Sequence, residues 1–317
     1  MSYAQFGSIQ ATDFNTLVGG NPTATANTLN ATWATGSGSA GYGQTAVANV
    51  TVSSTVAASS WNDLVTKTAN AAAHQGSSIT SVTAPTTGGP VTYVAAIPTN
   101  LQTIYTNRLN AATQSSTTSN SATYGSAWTN SVTFTHTATF ANGDAARYFF
   151  NSGGQLKMTV SHANNAAGIN LLFNNLCSNV GTVALSAPSA GTITVVGTSY
   201  NGVTKIGGGG NSPTIDANKG YYALTTSNAN IFTQTASTGP SGYLSSFIRF
   251  IAKSNGTQGS NGDAGSVITI YTVWDEVPDG LTVGTGSTTT LTLVPPETTN
   301  ISNTWGTVTL TGTVTGS

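Results

Sequence analysis

Hydrophobic positions along this chain change period about a third of the way in. Ala11-Thr12-Asp13-Phe14-Asn15-Thr16-Leu17-Val18 opens with residue types that cap helix N-termini. Its apolar positions 14, 17 and 18 have helical spacing. Gly19-Gly20-Asn21-Pro22 interrupts it. A weaker helical stretch carries Leu29 and Trp33, and it ends in the glycine-rich loop Gly36 to Gln44. The pattern then recurs. Ala58-Ser59-Ser60-Trp61-Asn62-Asp63-Leu64-Val65 matches Ala11 to Val18 in its small capping residues, aromatic, Asn and Leu-Val, and continues to His74-Gln75-Gly76. Phe14 and Trp61 hold the same place in the two copies, which predicts duplicated helical anchors with both rings buried. A further helix is expected over Thr99 to Ala112, with Leu101, Ile104, Tyr105 and Leu109 on one face.

Thr113 to Ser121 carries no apolar residue and reads as a connector, placed over 113–124. Beyond it the period falls to two. Val132, Phe134, His136, Ala138 and Phe140 alternate with Thr133, Thr135, Thr137 and Thr139, giving an apolar face and a threonine face. Arg147 to Phe150, the turn Asn151-Ser152-Gly153-Gly154 and Gln155 to Val160 read as a hairpin. Further strands are expected at 192–197, 221–226, 244–252, 267–274, 289–294 and 305–314. The expected fold class is therefore α+β. A small helical and loop anchoring region, 1–112, precedes a mainly antiparallel, β-sandwich-like region, 125–317.

Composition sharpens this picture. Only 5% of the 317 residues are charged, against ~25% in an ordinary soluble domain. The hydrophobic fraction is 38%, so the missing charges are replaced by Thr, Ser, Asn, Gln and Gly. Net charge is −1, and the eight basic residues are scattered. No basic stripe can form, so no nucleic-acid partner is expected. No run of residues is long and apolar enough for a membrane span, and the first residues lack a secretory pattern, so neither membrane insertion nor secretion is expected. The single Cys177 lies in an apolar run and reads as a small buried hydrophobe. Five Trp, eleven Tyr and ten Phe are enough for a core. Threonine keeps strand surfaces polar without charge, but it leaves sheet edges undefended, a defect that neighbouring subunits could cover.

Candidate chemistry is sparse. His74, His136 and His162 show no metal-ligand spacing, and His136 falls on the apolar face of its strand. Asp275, Glu276 and Asp279 surround Pro278 and read as a solvated loop. Ile206 to Asn211 is glycine-rich but lacks the ending of a phosphate loop. Asn142-Gly143-Asp144 and Asn261-Gly262-Asp263 have turn chemistry. No catalytic set, cofactor or metal is expected. Tyr42 and Tyr243 sit among glycines and read as loop-borne aromatics, open to a partner subunit, to glycan or to their own domain.

Asp144-Ala145-Ala146-Arg147-Tyr148-Phe149-Phe150-Asn151-Ser152-Gly153-Gly154-Gln155-Leu156 resembles a recurrent stretch in virion structural proteins of tailed bacteriophages. Asp13-Phe14-Asn15, Gly41-Tyr42-Gly43-Gln44, Trp61-Asn62-Asp63-Leu64 and His74-Gln75-Gly76 are similar to the same family. The likeness covers roughly residues 9–160. It implies a non-enzymatic virion component of tail, baseplate or fibre, assembled in the host cytoplasm as a homo-oligomer beside other tail or neck proteins. A capsid decoration protein and an adhesin for host surface glycan are the alternatives. The resemblance carries over no catalytic residue. Phe14, Tyr42, Trp61, Asp144, Arg147, Tyr148, Phe149, Phe150 and Tyr243 stand as candidate structural or interface residues. For Asp144 and Arg147 two readings are open: a local ion pair closing a loop, or a contact across a subunit boundary.

Overall fold

A computed structural model describes residues 11–19, 27–86 and 96–316. The helices α1 (Ala11–Val18), α2 (Leu29–Trp33), α3 (Ala58–Gln75) and α4 (Ala96–Thr106) come first. α3 stops where Gly76 takes a left-handed conformation, φ 69°, and its N–H caps the Ala72 and Ala73 carbonyls. Then follow β1 (Thr118–Tyr124), β2 (Ser131–Thr139), α5 (Gly143–Asn151), β3 (Gln155–His162) and α6 (Ile169–Val180). The rest is β4 (Thr182–Leu185), β5 (Ile193–Val195), β6 (Thr198–Tyr200), β7 (Val203–Ile206), β8 (Thr214–Ile215), β9 (Ala229–Thr235), β10 (Phe247–Ser254), β11 (Val267–Asp275), β12 (Ser287–Val294) and β13 (Thr309–Gly316).

The strands form a five-stranded sheet, β1-β12-β3-β4-β7, a six-stranded sheet, β13-β2-β11-β10-β9-β8, and a β5-β6 ribbon. Every strand pair in them is antiparallel. The period-two segments bury one face as expected. In β2, Val132, Phe134, His136 and Ala138 are fully buried, and β11 presents Ile268, Ile270, Thr272 and Trp274 in the same way. The His136 ring reaches across from β2 to the Thr289 carbonyl of β12 at 3.1 Å, linking the two sheets. α6 lies along β3, β9 and β10. Its Phe173 packs edge-on to Trp128, centroids 5.0 Å apart, and stacks on Trp274 at 5.9 Å.

The outward faces of the β1–β12 and β2–β13 pairs carry hydroxyl ladders, while β10 puts Arg249 and Lys253 on its outward face. Ser119, Ser121 and Thr123 of β1 each pair with a threonine hydroxyl of β12 at 2.8 Å. Thr137 meets Thr311 of β13 at 2.6 Å.

Several expectations need correction. The connector placed over 113–124 is in large part strand β1, because its hydroxyls and backbone find partners on β12. Arg147 to Phe150 is not a strand but the last turns of α5. Asn142 caps that helix, its side chain accepting from the Ala145 N–H at 2.8 Å. The apolar positions 145, 146, 149 and 150 then fall on one buried face. The turn at Gly153 and Gly154 therefore joins helix to strand. Tyr221–Ala223, expected within a strand, is a 3₁₀ turn. Within the 1–112 region, Phe14, Trp61 and Leu101 belong to one continuous core with Phe149, Phe250 and Trp274.

Candidate functional site

The resemblance-bearing segment works as an internal clamp. α5 presents Arg147, fully buried, toward the glycine-rich loop 35–41. Its guanidinium donates to the carbonyls of Thr35 (2.9 Å), Ala40 (2.9 Å) and Gly38 (3.2 Å). One turn on, Asn151 donates to the carbonyls of Ala40 (3.2 Å) and Gly41 (3.1 Å). Gly41 has φ 92°, and a Cβ there would collide with the Thr35 carbonyl, so the loop needs glycine at this point. Asp144 accepts from Arg147 Nε at 3.3 Å and from the Gly262 N–H at 3.2 Å, which ties in the 260–263 turn. The local ion pair is therefore present, and it anchors two loops to a helix instead of closing a loop between strands. Tyr148 is half-buried with the Arg147 guanidinium 4.8 Å from its ring. Phe149 and Phe150 are fully buried and lie at 5.1 Å to each other, and Phe150 stacks on Tyr221 at 4.3 Å.

A second polar knot lies beneath. Tyr42 is fully buried, so it is not a loop aromatic open to glycan or a partner. Its hydroxyl donates to the Arg108 carbonyl at 2.8 Å and accepts from Gln75 Nε2 at 2.7 Å. Burial pushes its phenol pKa well above the ordinary value. Its ring stands edge-on to His74, centroids 5.1 Å apart. His74 Nδ1 donates to Glu297 Oε1 at 2.8 Å. Glu297 also accepts from the N–H groups of Thr299 (2.5 Å) and Asn300 (3.0 Å). Gln44 exchanges two hydrogen bonds with the Ser302 backbone, at 2.8 and 2.9 Å. The knot thereby fastens the N-terminal helices to the segment before β13. Sequence reasoning missed Glu297 and Gln44, since the residues that meet them are more than 200 positions away in the chain. An isolated acid between Pro296 and two threonines was the only signal.

Phe14 and Trp61 are both buried, each on the fourth residue of its helix, and they touch edge-to-face at 5.6 Å. The recurring motif has brought its two aromatics together. Phe14→Leu should cost about 1–2 kcal/mol in urea unfolding. A double-mutant cycle with Trp61→Leu should give a coupling of about 1 kcal/mol. Additive losses would mean that the rings are buried independently.

Tyr243 is half-buried and packs against the core. Glu276 is not solvated, as the loop reading had it. It is fully buried and accepts from the N–H groups of Leu281 (2.6 Å) and Gly280 (3.3 Å), which closes the turn. Asp275 has its carboxyl pKa raised by burial and by Asp279. Cys177 is buried on α6, and burial pushes its thiol pKa up.

Among the described residues no group of three or more His, Cys, Asp or Glu is placed to hold a metal. No helix among them is long and apolar enough to cross a membrane. A cleft of about 530 Å³ is lined by Ser39, Arg108, Asn110, Thr192 and Tyr222. Its guanidinium already donates to Ser39 and Tyr105, and the Tyr222 hydroxyl lies 2.8 Å from the Gly38 carbonyl. What the site residues do together is bind parts of this chain to one another. No protein-family model matches the chain, and it matches no curated protein and no solved structure.

Proposed function

We propose that this chain is a non-enzymatic structural subunit of a bacteriophage virion, in the tail, baseplate or fibre apparatus. It acts through permanent contacts with further copies and with other tail or neck proteins. The observation that carries the reading is the charge-poor exterior: the edge pairs of both antiparallel sheets, β1–β12 and β2–β13, are joined by Ser and Thr hydroxyls in a chain with 5% charged residues. Such faces lack the charge that steers transient encounters. They also spare an assembly the desolvation of buried ions. The resemblance of residues 144–156 to virion structural proteins supports the same reading. With Tyr42 buried, the adhesin alternative loses one of its two loop aromatics. A capsid decoration protein would share the composition, and position in the particle separates the two.

The deciding experiment is to locate the chain in a density map of the intact phage particle. Density in the tail apparatus supports the proposal, density on the capsid lattice favours decoration, and absence from the particle refutes both. A solution test accompanies it. Neutral contacts are little affected by screening, whereas exposed ion pairs weaken as the Debye length falls to ~3 Å near 1 M salt. Sedimentation of particles carrying the chain should therefore be unchanged between low and molar salt. Release of the subunit at molar salt would show a charge-stitched interface.

A further inference from the structure

The six-stranded sheet ends at β13, whose one ladder partner is β2. Among the described residues no hydrogen bond reaches the outer edge of this strand from any other element. Native edge strands are ordinarily blunted by lysine, proline or a bulge. β13 has none of these: it reads Thr309-Leu310-Thr311-Gly312-Thr313-Val314-Thr315-Gly316, paired in unbroken register with Thr139 back to Val132.

That sequence is symmetric about Gly312. Laid antiparallel against a second copy with Gly312 opposite itself, Thr311 meets Thr313, Leu310 meets Val314, and Thr309 meets Thr315. Residues directly opposite in an antiparallel pair share a face. Threonine would thus stand against threonine on the outward face, and the apolar pair against the apolar pair on the inward one. The chain already uses this threonine pairing, at 2.6 Å between Thr137 and Thr311. The inward face is covered from within: a Cβ on Gly312 would meet the Asn120 side chain and the His136 ring. β1 therefore backs the strand on that face.

We infer that β13 is a two-fold interface, where two copies of this chain pair edge to edge about Gly312 and their six-stranded sheets become one. A self-complementary strand suits an isologous contact, in which each residue meets its symmetry mate's partner. The inference deepens the proposed structural role and takes from it only that copies of the chain assemble.

The test uses the full chain in sedimentation equilibrium. Wild type should sediment at twice the monomer mass. In the proposed register Thr311 faces Thr313 of the other copy, and both are exposed, so charges can be placed there without entering the core. The T311K/T313K variant should fall to monomer mass, because like charges directly opposite repel. T311E/T313E should do the same. An equimolar mixture of the two should return to the dimer mass, with circular dichroism matching wild type throughout. A monomeric wild type overturns the inference, as do a T311K/T313K variant that remains dimeric and a mixture that stays monomeric. These results are independent of where the chain lies in a particle, so failure here and failure of the structural role can be told apart.

Discussion

Arg147→Ala is expected to cost about 5 kcal/mol, enough to remove most of the stability of a typical domain. The guanidinium is fully buried and satisfies the carbonyls of Thr35, Gly38 and Ala40. The Thr35 carbonyl is left dry and unpaired at about 1–3 kcal/mol, while Gly38 and Ala40 keep Tyr222 and Asn151 and lose only a charge-assisted bond each. Asp144 also loses its cationic partner and keeps the Gly262 N–H. Arg147→Lys should recover little. One ammonium on a flexible stem cannot match a planar fork that serves four acceptors. Urea unfolding at neutral pH measures both variants, and limited proteolysis should show cleavage in the 35–41 loop before the sheets open. As a control, Lys67→Ala removes an exposed pair to Asp63, 3.2 Å long on the surface of α3. It should change stability by no more than about 0.5 kcal/mol. An Arg147→Ala protein as stable as that control would show the loop to be held by glycine geometry, Asn151, Tyr222 and Arg108 without it.

The clamp also marks how far the sequence could be read. Alternation in β2 and β11 is strict because one face of each is buried, and those strands lie where the pattern puts them. The α1 and α3 anchors were legible for the same reason, through their paired aromatic and Leu-Val positions. β1 was not. A strand that pairs hydroxyls on one face and sits at a sheet edge carries little apolar signal, so Thr118 to Ser121 looks like a linker. α5 was misread because two adjacent aromatics fit a strand as well as a helix. The cap at Asn142 and the two alanines decided it. Tyr42 shows the limit most clearly. Flanking glycines signal a loop, and it is one. The tyrosine's destination was set by Gln75, Arg108 and His74, which no local pattern relates to it.

Acidification should unfasten the molecule at the other polar knot. Burial alone would raise the Glu297 carboxyl, but the His74 hydrogen bond and the Asn300 and Thr299 amides outweigh it and hold the pKa at about 2. A carboxyl held below its unfolded value of 4.5 contributes stability that is full above that pH and is lost as the pH falls toward 2. Allowing for partial screening, that contribution is about 2 kcal/mol. His136 and His162 add an earlier loss. Burial lowers both rings below the ordinary 6.5, against the opposing effect of hydrogen bonds to the Thr289 and Thr311 backbone and to Asn170. Their neutral forms favour the fold above pH 6.5, and stability declines as the pH drops below it. Urea unfolding at a series of pH values should thus show a shallow loss beginning near 6.5 and a steeper one below 4.5. Glu297→Ala should cost about 3–4 kcal/mol at neutral pH, because the His74 imidazole and two backbone N–H groups lose their acceptor. The same variant should abolish the steeper acid limb and leave the shallow one. If the limb below 4.5 survives in Glu297→Ala, another carboxylate carries it and the His74–Glu297 pair is not the acid-sensitive fastening.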